Sequence, residues 1–312
     1  MNWHHQVMAT PRSQLVDSEL PCHYHLLSRC VRRAWLCGRD KPSRKRYDHR
    51  KYWLEDRIFH LAQYFAVEVN AHAIMSNHFH LVVFYDPLAC LQWDDAEVAR
   101  RWTAAFPPRV KFAEELEYLQ EIRRQEMMKD PVELAKARAS LGCLSSFMQH
   151  LKQPIAWRAN REDNCEGHFF QGRFYSGALL SEKAVLAAMA YVDLNPVRAK
   201  ICDAIEGYKH TSIYRRLERL ENSPGRISEY LKPLVSGLGE QSKTVPIALQ
   251  DYIHHLRLLS PATQTLELTD EHAVWFNRVA SIRKRQRAFG PMKDLKDWVA
   301  RHGWRRTGDA LD

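Results

Sequence analysis

Two strand patterns separated by a few residues constrain this chain more than any other feature. Val67-Glu-Val-Asn-Ala-His-Ala-Ile alternates as a half-buried strand does, and residues 78–84 follow as a second strand pattern. Ser76-Asn77 between them reads as a turn, so the pair is a hairpin with a short loop.

Around this hairpin the elements fall into a recognisable order. A strand-like stretch over residues 25–31 comes first, followed by a basic loop over 39–50. A helix over about 49–65 is then expected, because Leu54, Ile58, Leu61, Ala62 and Phe65 recur at three- and four-residue spacing. After the hairpin, residues 86–140 are polar and helix-prone and read as an insertion. A helix over 144–160 follows, then a strand over 167–180, then a strong helix over 181–194. Ser181 is its N-cap, Glu182 is favourable in its first turn, and Pro196 should end or kink it. The order is the split β-α-β of ferredoxin-like or RRM-like α+β folds, an antiparallel sheet with one face covered by helices and the other partly open. Beyond residue 222, turn-forming segments give way to helical ones near 247–259, 271–287 and 293–302. The expected organisation is an N-terminal extension (1–21), a core domain (22–222, with the insertion at about 86–140) and a basic, helical C-terminal domain (223–312).

Charge points to a partner. The chain carries 46 Lys and Arg against 37 Asp and Glu, a net +9. Residues 29–57 hold eleven basic and four acidic residues, and residues 278–306 hold ten and two, so the rest of the chain is net acidic. Two concentrated basic segments suit a polyanion, since each phosphate contact releases condensed counterions. Arg32, Arg33, Arg44 and Arg46 are the first candidates in the earlier segment.

The seven cysteines are odd in number and irregular in spacing, with no Cys-x-x-Cys pair, which argues against a disulfide framework or a zinc knuckle. No apolar run is long enough to span a membrane and the N-terminus lacks a signal-peptide layout, so a cytoplasmic protein is expected.

Three segments carry chemistry. On a strand, His78 and His80 project from the same face, and two adjacent imidazoles can hold one metal ion. His23-Tyr24-His25 has the same spacing and competes for that reading. On a helix, Tyr191 and Asn195 share a face. A phenol is a weak nucleophile when free and becomes useful where a metal polarises the group it attacks, while an amide oxygen can complete that metal's shell. In Gly167-His-Phe-Phe-Gln-Gly-Arg-Phe174, Arg173 between aromatics can contact phosphate or stack on a base.

Taken together these segments resemble a known family. Ala73-Ile-Met-Ser-Asn-His-Phe-His-Leu-Val-Val83 resembles the histidine–hydrophobe–histidine (HUH) strand of insertion-sequence-200-like single-tyrosine transposases. Ala190-Tyr-Val-Asp-Leu-Asn-Pro-Val-Arg-Ala199 resembles the tyrosine helix of one branch, the REP-associated tyrosine transposases. Tyr24-His-Leu-Leu-Ser-Arg-Cys30 and Gln171-Gly-Arg-Phe174 match intermediate landmarks in the right order, and the resemblance covers about residues 22–215. Ser76, Phe170 and Lys200 depart from residues common in the family, and none removes a group the chemistry needs.

The resemblance implies an HUH version of the ferredoxin-like sheet, with His78, His80 and Asn195 as ligands of Mg²⁺ or Mn²⁺ and Tyr191 as nucleophile. It implies a bacterial DNA strand-transferring nuclease acting on single-stranded DNA beside a hairpin, as a monomer or homodimer. Arg29, Arg32, Arg33, Arg44, Arg46, Arg173 and Arg198 are the expected DNA contacts. The alternative is a non-catalytic single-stranded nucleic-acid-binding protein on the same fold.

Overall fold

In a computed structural model the described residues are 11–31, 37–38, 44–260 and 270–303. Arg32 and Arg33 lie outside them. The core is built from β1 (Cys22–Arg29), α1 (His49–Ala62), β2 (Val67–Ile74), β3 (His78–Tyr85), α5 (Leu144–Glu162), β4 (Tyr175–Leu179) and α6 (Glu182–Asp193). Between β3 and α5 lie α2 (Asp95–Ala105), α3 (Glu115–Met128) and α4 (Pro131–Leu141). After α6 come α7 (Asn195–Arg198), α8 (Ser212–Asn222), β5 (Tyr230–Leu231), β6 (Val235–Ser236), β7 (Val245–Ala248), α9 (Leu249–Leu258), α10 (Asp270–Ser281), β8 (Ala288–Phe289) and α11 (Met292–Arg301).

The six-stranded sheet runs β6-β2-β3-β1-β4-β8. Its four central strands have the ferredoxin-like order and are antiparallel throughout, and only the β4–β8 pair is parallel. The expected α+β class is the observed one. Strand β1 begins and ends earlier than the expected 25–31, and the expected strand over 167–180 shrinks to Tyr175–Leu179. Residues 167–174 instead form an irregular segment touching the sheet through one bridge, Cys30 to Phe170. Arg173 is therefore not on a strand.

The alternation on β3 sorts the core into two layers. Phe79, Leu81 and Val83 join Tyr24 and Leu26 of β1 in packing against α1 and α5. On the opposite face Val82, Ala71 and Ala73 pack with α6, α9 and the end of α10. The expected open sheet face is thus corrected. Both faces are covered, because β2 and β3 are apolar or buried on both sides and the C-terminal helices supply the second layer.

The residues after 222 are not only helical. β6 pairs with the edge of β2 and β8 with the edge of β4, closing the two outer edges of the core sheet. Close backbone approach at the β8 side depends on Gly177, where an added Cβ would stand 2.8 Å from the Gln286 carbonyl oxygen.

The segment expected as an insertion holds three helices, two of them with side-chain N-caps. Asp94 accepts from the Glu97 amide at the start of α2, and Asp130 with Pro131 starts α4. Only Met127 of α3 is buried, which accounts for its polar sequence. No helix among the described residues is long and apolar enough to cross a membrane.

Candidate active site

The hairpin and α6 bring the expected residues together. Ser181 caps α6 as read, its side chain accepting from the Ala184 amide. Pro196 lacks an amide hydrogen, and the helix breaks at Leu194 before resuming as α7. Tyr191 in the last turn of α6 and Asn195 at the start of α7 face the strands. The Tyr191 ring lies edge-on to His80 at 5.6 Å and to His25 at 5.8 Å between centroids.

His80 is 3% exposed and held from both sides. Its Nδ1 is 2.9 Å from Nε2 of His25, and its Nε2 is 3.4 Å from the Asn195 amide. His78 Nδ1 lies 2.6 Å from Asn77 Oδ1, and the His78 and His80 rings are 5.0 Å apart. When His78 donates Nδ1–H to Asn77 and His80 donates Nδ1–H to His25, each ring keeps its Nε2 lone pair free for a ligand. A half-turn of the Asn195 amide exchanges its nitrogen for Oδ1 toward His80. The donors available to a divalent ion are then two neutral imidazoles and an amide oxygen. This N/O set suits Mn²⁺ better than Mg²⁺, which prefers oxygen and water. Among the described residues no group of three or more His, Cys, Asp or Glu is placed to hold a metal ion.

Electrostatics keep the imidazoles neutral. Burial pushes His80 well below the usual histidine range, with His25, His78 and Arg29 adding to it. Burial, helped by Arg29, lowers His78 to about 4, and burial alone lowers His25 to about 3. Tyr191 is pulled both ways. Burial raises its pKa, while Arg198, Arg283 and Arg29, together with a hydrogen bond from Asn195, oppose the rise. The Arg198 guanidinium is 5.9 Å from the Tyr191 ring centre.

Of the expected DNA contacts, Arg29 and Arg198 therefore border Tyr191. Arg46 is engaged by Asp48 at 3.0 Å beside α1, and Arg44 takes a left-handed backbone conformation (φ 57°) just before it. Arg173 stands by Arg12 and Phe174, on the α5 side of the sheet. Part of the first basic segment is structural, since Arg50 is buried and bonds to Glu162 and Asp163.

Two residues at the site, Tyr175 and Arg283, were not singled out from sequence, and a third, His25, was read only as part of a competing pair. His25 sits in the middle of β1, paired opposite Val82 and Gly177. Its spacing from His23 was visible, but its place beside His80 depends on strand register. His23 itself packs on Phe84, near the start of β1. Tyr175 lies edge-on to His25 at 5.7 Å, its hydroxyl bonded to the Gln286 carbonyl. Arg283 follows α10 and comes from the second basic segment, whose charge was the only signal for it.

No family model matches the chain, and no curated protein matches it in sequence. Among solved structures the chain is similar to a REP-associated tyrosine transposase bound to a REP hairpin. The identity is 13% and the TM-score 0.40, over 68% of this chain and 87% of that one.

Proposed function

We propose that the chain is a metal-dependent endonuclease and strand transferase for single-stranded DNA at hairpin-flanked sites, with Tyr191 as nucleophile. The observation that carries this reading is the edge-on approach of the Tyr191 ring to His80 and His25, with Asn195 against the same His80 ring. Binding alone requires no such convergence of phenol, imidazoles and amide.

His78, His80 and Asn195 would hold a divalent cation, which when bound polarises the scissile phosphate. Tyr191 Oη forms the new bond to phosphorus as it gives up its proton. The bond from phosphorus to the 3′ oxygen breaks, and that oxygen takes up, through solvent, the proton that the phenol releases and leaves as a free 3′-OH. The chain keeps the 5′-phosphate as a phosphotyrosine ester, so a second 3′-OH can reverse the exchange and join new ends without ATP. Arg29, Arg198 and Arg283 counter the negative charge that grows on the phenol and phosphate. Single-stranded DNA fits this chemistry because an unpaired backbone can be splayed over the site, whereas a duplex holds it regularly.

The test is a gel assay with labelled single-stranded hairpin oligonucleotides and Mn²⁺ or Mg²⁺. A covalent adduct is expected with the parent chain and not with Tyr191→Phe or with chelator. An adduct that persists in Tyr191→Phe would refute the assignment. Retarded but uncut DNA across a broad hairpin library would favour the non-catalytic binder, a reading that the burial of Tyr191 and its raised pKa also suit.

A further inference from the structure

On the far side of the sheet from Tyr191, α5 and residues 167–174 enclose a cleft of about 670 Å³. One wall is a face of α5 on which Gln149, Gln153 and Trp157 recur every four residues. Trp157 is 63% exposed although it is large and apolar. The other wall carries Phe170 and Phe174.

Cations border the aromatics. Lys152 Nζ is 5.1 Å from the Phe170 ring centre, and the Arg12 guanidinium is 3.8 Å from that of Phe174. No acidic side chain is among the described lining residues. The contrast with the other large cavity, at the opposite end of β1, is sharp. That one is lined by Asp17, Glu182, Asp294 and Asp297 against Lys243 and Arg301, so its lining is net acidic and suits a polyanion less.

The cleft is also joined to the tyrosine site through the backbone. The Gln171 amide donates to the Arg29 carbonyl at 2.7 Å, and the Val31 amide to the Phe169 carbonyl at 3.1 Å. The segment that walls the cleft thus lies against Arg29, whose charge acts on Tyr191.

We propose that this cleft binds an unstacked base of single-stranded DNA flanking the phosphate that Tyr191 attacks. Trp157 offers a flat face for stacking, which every base can use. The Gln149 and Gln153 amides offer donor and acceptor groups to the base edge, and so a means of choosing among bases. Lys152 and Arg12 offset the charge of the neighbouring phosphates. The inference rests on the proposed function for its choice of DNA, and goes beyond it in assigning a second contact that selects the flank.

The test uses the full chain and a hairpin oligonucleotide with and without a single-stranded flank in which 5-iodouracil replaces thymine. Irradiation is expected to cross-link the flank to the α5 peptide that contains Trp157. Trp157→Ala, at an exposed position that should leave the fold intact by far-UV circular dichroism, is expected to weaken binding of the flanked hairpin about tenfold, the effect of losing one stacked base. Binding of the unflanked hairpin should not change. Equal affinity of parent and Trp157→Ala for the flanked hairpin, with cross-links only outside α5, would overturn the inference. Flank-dependent binding through Trp157 with no Tyr191 adduct would instead uphold the cleft and reject the strand-transfer chemistry.

Discussion

His25 Nε2 meets His80 Nδ1 at 2.9 Å in the buried centre of the sheet. Because one His80 nitrogen is committed there, the other is fixed toward Asn195, as hydrogen-bonded partners fix metal-ligating histidines elsewhere. His25→Ala should therefore lower Mn²⁺ affinity about 10- to 100-fold without removing a ligand, and His80→Ala should abolish binding. Isothermal titration of the purified variants checks both. Unchanged Mn²⁺ affinity in His25→Ala would mean that the contact is only packing.

The cations around Tyr191 make a prediction about pH. Burial raises the phenol pKa, and Arg198, Arg283 and Arg29 hold it down. Removing Arg283 should raise it further, so the alkaline rise in adduct formation should move to higher pH in Arg283→Ala. At neutral pH the rate should fall roughly tenfold or more, as for loss of one charge-stabilising group. A pH–rate profile identical to the parent's would show that Arg283 does not act on Tyr191.

The buried histidines make a prediction about stability. His78 and His25 are lowered by burial, to about 4 and about 3. The unfolded chain, with histidines near their ordinary value, takes up protons below about pH 6.5 while the folded chain resists them. Their contribution to stability is therefore complete above that pH and is lost as pH falls through the folded values. Urea midpoints should drop from pH 6.5 toward 4, and the drop should be shallower in His25→Phe, which removes one titrating group. An equally steep drop in that variant would contradict the assignment.

Asp193 ties the tyrosine helix to the C-terminal layer. Its carboxylate accepts from Ser212 Oγ, from the Ile213 amide at 2.8 Å and from Tyr252 Oη at 2.7 Å. Asp193→Ala would strand these buried donors and should cost roughly 3 kcal/mol in urea unfolding. A loss below about 1 kcal/mol would mean that water replaces the carboxylate.

The local parts of this arrangement were legible in the sequence, and the long-range parts were not. Ser181 and Pro196 set the two ends of α6 through their own backbone chemistry, so the spacing of Tyr191 and Asn195 could be read directly. The alternation of β3 placed His78 and His80 together for the same reason. His25 was ambiguous because β1 carries histidines at 23 and 25, and only pairing with β3 and β4 decides which reaches His80. Arg283 was hidden because its approach to Tyr191 needs the C-terminal layer to fold over the sheet. The same layer covers the face that the pattern of the first seven elements left open. Residues 167–174 read as part of a strand over 167–180, yet Phe169, Phe170 and Phe174 line a cleft with α5, and the segment meets the sheet at a single bridge.

The most direct measurement is mass spectrometry of the adduct formed with Mn²⁺ and a labelled hairpin oligonucleotide, after nuclease and protease digestion. A nucleotide joined through its 5′-phosphate to Tyr191, absent in Tyr191→Phe, is the expected result. A nucleotide on another residue, or cleavage that leaves no linked peptide, would contradict Tyr191 as the nucleophile.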